Sequence, residues 1–552
     1  MEKLPISTGQ YTTDSVKFKQ FYQNQGVKPG MSKLKTVSED FVLKELMGIN
    51  PQKSTGLDGI APRFLKDGAN QLAPIITHII NLSITQNYVP DSLKHAKVTP
   101  LFKKNDKLEV SNYRPISVLS AVSKILEKSV HTQVQSYLIE NKLVFDYQSG
   151  FRPGFSTDTC LIHLTDFIKD KLSHGFYVGA VLLDVQKAFD SVNHTILCNK
   201  IAAIGIDPSW FISYLSHRKQ TVMINETISE EMSITCGVPQ GGLLAPLLYL
   251  IYSNDMSISV QNKLLLYADD SVLLAYDKNP HNVSKLLSSD LESCNSWLVD
   301  NQLSLHIGKT ECILFGSKKN IKKVEGFNVK YRGQTVNCSK SVKYLGAILD
   351  ENLAGESMAM HTISKINGRL KFLYRHQSVL TINLRKKLSI ALLLCHLDYC
   401  SSSWYPNLTS KFKSKLQVMQ NKIARFTLKL PARSHIGQVE LNSVGLLNVS
   451  DRVCQLRLNN VFKINCGQAP HYLTANFNKL SDTHRYNTRG RRLDFHVPSV
   501  KGLGSKSFYY QGICDWNVLP DNIKCQENLQ SFKKHVKLFL ANRTLSTEST
   551  QT

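Results

Sequence analysis

Apolar residues recur along this chain in two rhythms. In Leu72 to Leu82, Val118 to Leu138, Ser284 to Leu298, Leu384 to Tyr399 and Leu416 to Leu430 they fall at helical spacing, so one face of each segment can be buried. Val178 to Leu183 and Glu311 to Gly316 are short apolar runs of strand length. Residues 41 to 150 therefore read as mainly helical, 151 to 350 alternate helix with strand, and 351 to 450 return to helix. Residues 1 to 40 are polar and read as a loose lead-in, and the Ser/Thr-rich end, 544 to 552, reads as disordered.

Carboxylates interrupt this pattern at two places. The run Leu264-Leu-Leu-Tyr-Ala-Asp-Asp-Ser-Val-Leu-Leu-Ala-Tyr276 puts Asp269 and Asp270 between two apolar stretches, which predicts two buried strands joined by a tight turn. Adjacent like charges at the tip of an apolar hairpin are costly unless a cation neutralises them, and hard divalent ions take oxygen ligands. Taken alone, the pair reads equally well as polar turn chemistry. Asp184, at the end of the Val178–Leu183 run, supplies a third carboxylate. Three such groups can hold two metals about 3.5–4 Å apart, the clamp for in-line phosphoryl transfer.

Between these segments lies Cys236-Gly-Val-Pro-Gln-Gly-Gly-Leu-Leu-Ala-Pro-Leu-Leu-Tyr-Leu-Ile-Tyr252. It reads as a Gly/Pro loop leading into a buried helix whose Pro246 is tolerated near the start. Glycines in such a loop let the backbone approach a ligand closely.

The order Asp184, Gly-Val-Pro-Gln-Gly, Tyr-Ala-Asp-Asp resembles the palm of a reverse transcriptase, more narrowly that of non-LTR (LINE-type, jockey-like) retrotransposons. Other segments agree in order: Lys53-Ser-Thr-Gly-Leu-Asp-Gly59, Val98-Thr-Pro-Leu-Phe-Lys-Lys104, Asn112-Tyr-Arg-Pro-Ile-Ser117 and Gln148-Ser-Gly-Phe-Arg-Pro-Gly-Phe-Ser-Thr157 precede the Gly/Pro loop. Leu303-Ser-Leu-His-Ile-Gly-Lys-Thr310 and Val342-Lys-Tyr-Leu-Gly-Ala-Ile-Leu-Asp350 follow the carboxylate hairpin. Each is weak to moderate alone; their common order over residues 40 to 350 is specific.

The resemblance implies an α+β right-hand polymerase: helical and strand fingers with an antiparallel-sheet palm (41–350), a helical thumb (351–450) and a basic C-terminal domain (451–543). It implies that Asp184, Asp269 and Asp270 bind two Mg²⁺ ions, with Mn²⁺ as a substitute, and that Lys309 protonates the leaving pyrophosphate. Gln240 and Gly241 would line the nucleotide and template pocket, with Gly237 and Pro239 shaping the loop on the template side. Arg114 and Lys97 would grip the triphosphate, and Arg152 would contact the template or the triphosphate. For these basic residues the plain alternative is a solvated surface charge. Phe189, five residues after Asp184, stands where the family places an aromatic ring beneath the sugar; such a ring collides with a 2′-hydroxyl and selects deoxynucleotides. The alternative is an ordinary core phenylalanine. One departure is Gly242, where the family often has Ser.

Charge sharpens the picture. The chain of 552 residues carries 67 Lys/Arg against 43 Asp/Glu, a net of +24. Residues 1–350 hold 38 and 32 of these, and residues 351–552 hold 29 and 11. The positive field thus sits in the second part, as expected for a polyanion partner. The expected partners are an RNA template, a DNA primer, their hybrid and dNTPs, with no membrane; oligomeric state is not legible. Twelve cysteines show no zinc spacing and read mostly as reduced core thiols. No apolar run reaches membrane-span length and residues 1–10 carry no signal segment, so a soluble, intracellular location, in cytoplasm or nucleus, is expected.

The C-terminal pieces Thr488-Arg-Gly-Arg-Arg492, Lys506-Ser-Phe508 and Asp515-Trp-Asn-Val-Leu-Pro520 also resemble these polymerases, with Trp516 anchoring a small core. No endonuclease domain is expected in this chain. The rival readings are a catalytically inactive relic that binds nucleic acid, and a group II intron-type maturase, which shares the palm but not this tail.

Overall fold

The structure, a computed structural model, describes residues 15–24, 32–483 and 493–549. The Thr488–Arg492 motif lies outside the described residues, as do residues 550–552 of the expected disordered end. The chain folds as two discontinuous units, one of residues 1–151, 184–261 and 290–307, the other of 152–183, 262–289 and 308–552.

In the first unit, a sheet runs in the order Tyr113–Val118, His95–Phe102, Arg218–Ile224 and Thr227–Ile228, with Met232–Ile234 also paired to Arg218–Ile224. His95–Phe102 is antiparallel to the first strand, with Leu101 opposite Arg114, and parallel to the third. Helices surround it. Ala69–Thr85 and Ala121–Glu140 carry the two early apolar periodicities. Val118 belongs to a strand, not to the helix expected from it, because Ser120 caps the helix by accepting the Ser123 N–H at 3.0 Å. Ala245–Ser253 is buried all round except at Pro246, which sits in its first turn as expected.

The lead-in is not wholly loose. Ser15–Asn24 is a helix that buries Phe18 and Tyr22, and the Tyr22 hydroxyl accepts from Asn254 Nδ2 at 2.9 Å. Burying these two aromatic side chains contributes on the order of 1.5–3 kcal/mol each to holding the segment in place.

In the second unit, the central sheet has the order Asn337–Cys338, Glu311–Phe315, Tyr177–Asp184, Asp270–Asp277, Lys263–Tyr267. The expected antiparallel pairing holds for Tyr177–Asp184 with Glu311–Phe315 and for Lys263–Tyr267 with Asp270–Asp277. The edge strand Asn337–Cys338 instead runs parallel to Glu311–Phe315. Its register puts Cys338 opposite Cys312, and the two form a disulfide; this pair departs from the expectation of reduced thiols. Gly179 lets a helix lie against the sheet: a Cβ there would come within 2.5 Å of Val283 Cγ1 and Leu287 Cδ1.

The helical remainder of this unit is built on Glu356–Arg375, Ser410–Leu428 and Val449–Asn465. Leu370, Leu393, Leu416, Met419, Ile423 and Phe426 share one buried core. The expected helix over Leu384–Tyr399 forms as Ile382–Ser389 and Cys395–Asp398 joined through a π turn, Ile390–Leu394. Trp516 is fully buried, as expected: its indole N–H donates to the Leu493 carbonyl at 2.8 Å and its ring stacks on Phe532. The last helix, Leu529–Ser549, includes residues 544–549, which were expected to be disordered. No helix among the described residues is long and apolar enough to cross a membrane.

Candidate active site

The carboxylate hairpin forms as the apolar flanks require. Lys263–Tyr267 and Asp270–Asp277 pair with Tyr267 opposite Asp270, leaving Ala268 and Asp269 as a two-residue turn. Leu264, Leu265, Leu266, Val272, Leu273 and Leu274 are buried, while Asp269 and Asp270 are exposed at the tip. Ala268 takes a left-handed φ of 57°, a conformation costing a non-glycine residue about 1–2 kcal/mol. Such strain clusters at functional turns. Asp184 is the last residue of Tyr177–Asp184, the strand next to Asp270–Asp277 in the sheet order. The chain passes from one unit to the other directly before Asp184. Its carbonyl accepts the His306 N–H at 2.8 Å.

The Gly/Pro loop is laced to the segment after Asp184, all within the first unit. Gly237 N–H donates to the Val192 carbonyl at 2.7 Å, and Val238 N–H to the Phe189 carbonyl at 2.9 Å. The His194 imidazole bonds the Gly237 carbonyl through Nε2 at 2.8 Å, and burial pushes that imidazole's pKa down. Gln240 Nε2 donates to Asp190 Oδ1 at 2.8 Å, and the Gln240 carbonyl accepts the Ser117 N–H at 2.6 Å. Two glycines are required by close approach. Gly237 has φ 85° and its Cβ would lie 2.7 Å from the Asp190 carbonyl oxygen; Gly241 has φ 122° and abuts the Ser117 carbonyl. Pro239 and Gly237 are buried and Gln240 is half-buried.

The far end of the loop is held by Glu127, fully buried on the Ala121–Glu140 helix. Its Oε2 accepts the Leu243 N–H at 2.5 Å and the Leu244 N–H at 3.4 Å, and its Oε1 accepts the Tyr214 hydroxyl at 2.6 Å. The carboxylate thus takes the N–H groups of the two residues that lead into the Ala245–Ser253 helix, and its charge complements the helix dipole. Gly242 is explained here: a Cβ would lie 3.0 and 3.1 Å from the two Glu127 oxygens.

Phe189 is half-buried, stacked on Tyr249 with ring centroids 4.8 Å apart, and meets Phe151 edge-on at 6.4 Å. Tyr249 comes from the buried Ala245–Ser253 helix, so a packed core residue backs Phe189.

The basic residues are dispersed. Lys97 is half-buried, opposite Val118, and Arg114 is exposed on the neighbouring strand. In the second unit, Arg152 lies over the Phe155 ring at 4.1 Å, and Lys309 is exposed at the end of the short turn Ile307–Lys309. Asp190, Glu127 and His194, which hold the loop, and Tyr249, which stacks on Phe189, were not singled out from the sequence. Asp190 directly follows Phe189, which was a signal; Glu127 lies 116 residues from Leu243 and gave none.

Among the described residues, no group of three or more His, Cys, Asp or Glu side chains stands gathered as a metal cage. The adjacent, exposed Asp269 and Asp270 fit Mg²⁺ in another way. That ion is commonly held by one or two carboxylates with waters and substrate phosphates, not by a complete protein cage.

Comparison with known proteins agrees with this geometry. Residues 102–349 match the family described as reverse transcriptase (RNA-dependent DNA polymerase). The chain is 26% identical over 412 residues to "Probable RNA-directed DNA polymerase from transposon BS" of Drosophila melanogaster, covering 72% of this chain and 45% of that protein. It is 27% identical over 384 residues to "Probable RNA-directed DNA polymerase from transposon X-element" of the same fly, 68% of this chain and 42% of that one. To "RNA-directed DNA polymerase from mobile element jockey" of Drosophila funebris it is 28% identical over 324 residues, 56% of this chain and 35% of that one. The chain thus spans less than half the length of these relatives. With the Tyr-Ala-Asp-Asp hairpin and the laced Gly-Val-Pro-Gln-Gly loop inside the matched region, residues 102–349 carry a reverse transcriptase domain, and the chain is similar to the RNA-directed DNA polymerases of non-LTR, LINE-type retrotransposons.

Proposed function

We propose that this chain extends a primer on an RNA template with dNTPs, by two-metal phosphoryl transfer. The observation that carries this reading is the exposed Asp269–Asp270 tip on the strand beside the one that ends in Asp184. We assign residues 41–350 to fingers and palm, 351–450 to a helical thumb and 451–543 to a basic C-terminal domain. The positive charge of residues 351–552 supports a duplex-holding role for the last two.

Asp184, Asp269 and Asp270 would hold two Mg²⁺ ions, which when bound activate the primer 3′-hydroxyl and stabilise charge on the leaving pyrophosphate. The chain's own groups do the rest. Lys97 and Arg114 bind the triphosphate, and Lys309 gives a proton to the departing pyrophosphate. Gln240 and Gly241 shape the nucleotide pocket, and the loop that carries them is fixed by Asp190, His194 and Glu127. Phe189, backed by Tyr249, excludes a 2′-hydroxyl. Arg152, Gly237 and Pro239 meet the template side.

Primer extension on a primed RNA template tests the proposal. The purified chain is expected to add dNTPs in a Mg²⁺-dependent manner. Binding to the primed RNA with no extension under any divalent ion would overturn the polymerase reading and favour an inactive nucleic-acid-binding relic.

A further inference from the structure

Gln240 is held by one side-chain bond, and that bond has a direction. Its Nε2 donates to Asp190 Oδ1 at 2.8 Å. An ionised carboxylate only accepts hydrogen bonds, so it can hold the NH₂ edge of an amide and never the oxygen edge. With Nε2 committed to Asp190, the amide oxygen Oε1 is turned away and left to accept. Among the described residues Gln240 Oε1 has no protein donor. A free glutamine would populate both amide orientations, and half of them would present a donor instead.

Asp190 is itself fixed by its backbone. Its N–H donates to the Lys187 carbonyl at 2.8 Å, and its carbonyl accepts Cys236 Sγ at 3.5 Å and lies against Gly237. The preceding residue and the one two further on are tied to the same loop: Phe189 through Val238, and Val192 through Gly237. Thus the carboxylate that orients Gln240 and the ring of Phe189 are adjacent on one short segment, and that segment is laced to the loop bearing Gln240. An error in one would be carried to the other.

We propose that Asp190 is a positioning residue for nucleotide selection: it locks the Gln240 amide so that Oε1 faces the incoming nucleotide as a hydrogen-bond acceptor. The proposal rests on the reading of Gln240 as part of the nucleotide pocket. It goes beyond that reading by assigning the orientation of the amide and the residue that enforces it. The matching substrate feature is a donor, a hydroxyl or an amino group, on the nucleotide.

A double-mutant cycle tests it, with steady-state KM for dNTP and kcat read separately on the full chain. The variants are Gln240→Ala, Asp190→Ala, Asp190→Asn and each pair with Gln240→Ala. Gln240→Ala and Asp190→Ala are each expected to raise KM for dNTP by about tenfold, the scale of one lost polar contact. In the Gln240→Ala background either Asp190 substitution should add less than about twofold, because it acts only through Gln240. Asp190→Asn keeps the shape and one acceptor but can also donate, so it should give an intermediate KM; it serves as the cycle partner if Asp190→Ala does not fold. Multiplying effects in the double variants would overturn the proposal, as would a fall in kcat at unchanged KM, the mark of a merely structural role. If Gln240→Ala itself leaves KM unchanged, the reading of Gln240 fails first, and the role of Asp190 with it.

Discussion

Phe189 lies stacked on Tyr249, ring centroids 4.8 Å apart and planes 25° from parallel. Tyr249 is almost wholly buried in the Ala245–Ser253 helix, which begins just after the Gly/Pro loop. In the proposed gate, such backing would hold the ring against an added hydroxyl. Phe189→Ala is therefore expected to reduce discrimination against ribonucleotides by about tenfold or more, measured as the ratio of kcat/KM for a dNTP and the matching rNTP. An unchanged ratio would remove Phe189 from the gate and return it to the core.

Glu127 and Gly242 form a second pair. Glu127→Ala leaves the Leu243 N–H and Tyr214 hydroxyl without their acceptor in a buried site, at about 1–3 kcal/mol per group. Gly242→Ala sets a methyl 3.0–3.1 Å from the same carboxylate and should destabilise by about 1–3 kcal/mol. Gly242→Ser should cost less, because its hydroxyl can donate to Glu127. Thermal unfolding of the three variants checks the order; Ser below Ala would contradict it.

His163 predicts acid sensitivity. It lies 4.6 Å from the Tyr472 ring, and burial, aided by Lys263 and His471, lowers its pKa from 6.5 to about 3. The unfolded chain takes up a proton below pH 6.5 that the folded chain refuses until near pH 3. The ring's contribution is thus whole above pH 6.5 and falls as pH drops toward 3. At pH 5 the loss is about 2 kcal/mol. His131, His194, His361 and His396 are shifted downward by burial as well, so His163→Phe should remove only part of the slope of stability between pH 7 and 5. An unaltered slope would show that His163 takes up a proton in the folded state.

Salt reports on the basic region. If six or more of the 29 Lys/Arg in residues 351–552 meet phosphates, affinity for a primed RNA should fall by roughly a thousandfold or more between 50 and 200 mM salt. Titrations across that range check this, and a flat dependence would assign the charge elsewhere.

Much of the site was legible because chemistry and local pattern coincide in it. Asp269 and Asp270 stand out since apolar runs flank them, and the hairpin follows from that alternation. Asp184 was marked by the strand it ends. Other features needed the fold. The Cys312–Cys338 bond depends on a strand register that no spacing reveals. The role of Glu127 depends on a helix distant in sequence, so Gly242 could be noticed but not explained. The Ser15–Asn24 helix could have been found: Phe18, Phe21 and Tyr22 share one helical face, but polar neighbours hid them.

Asp269 and Asp270 are proposed to hold the catalytic metals. The direct test is single-turnover primer extension on RNA with Asp269→Asn and Asp270→Asn, beside wild type, with binding of the same primed RNA measured in parallel. Binding should stay within about twofold while extension falls by at least about a thousandfold in each variant. Extension near the wild-type rate in either one would contradict it.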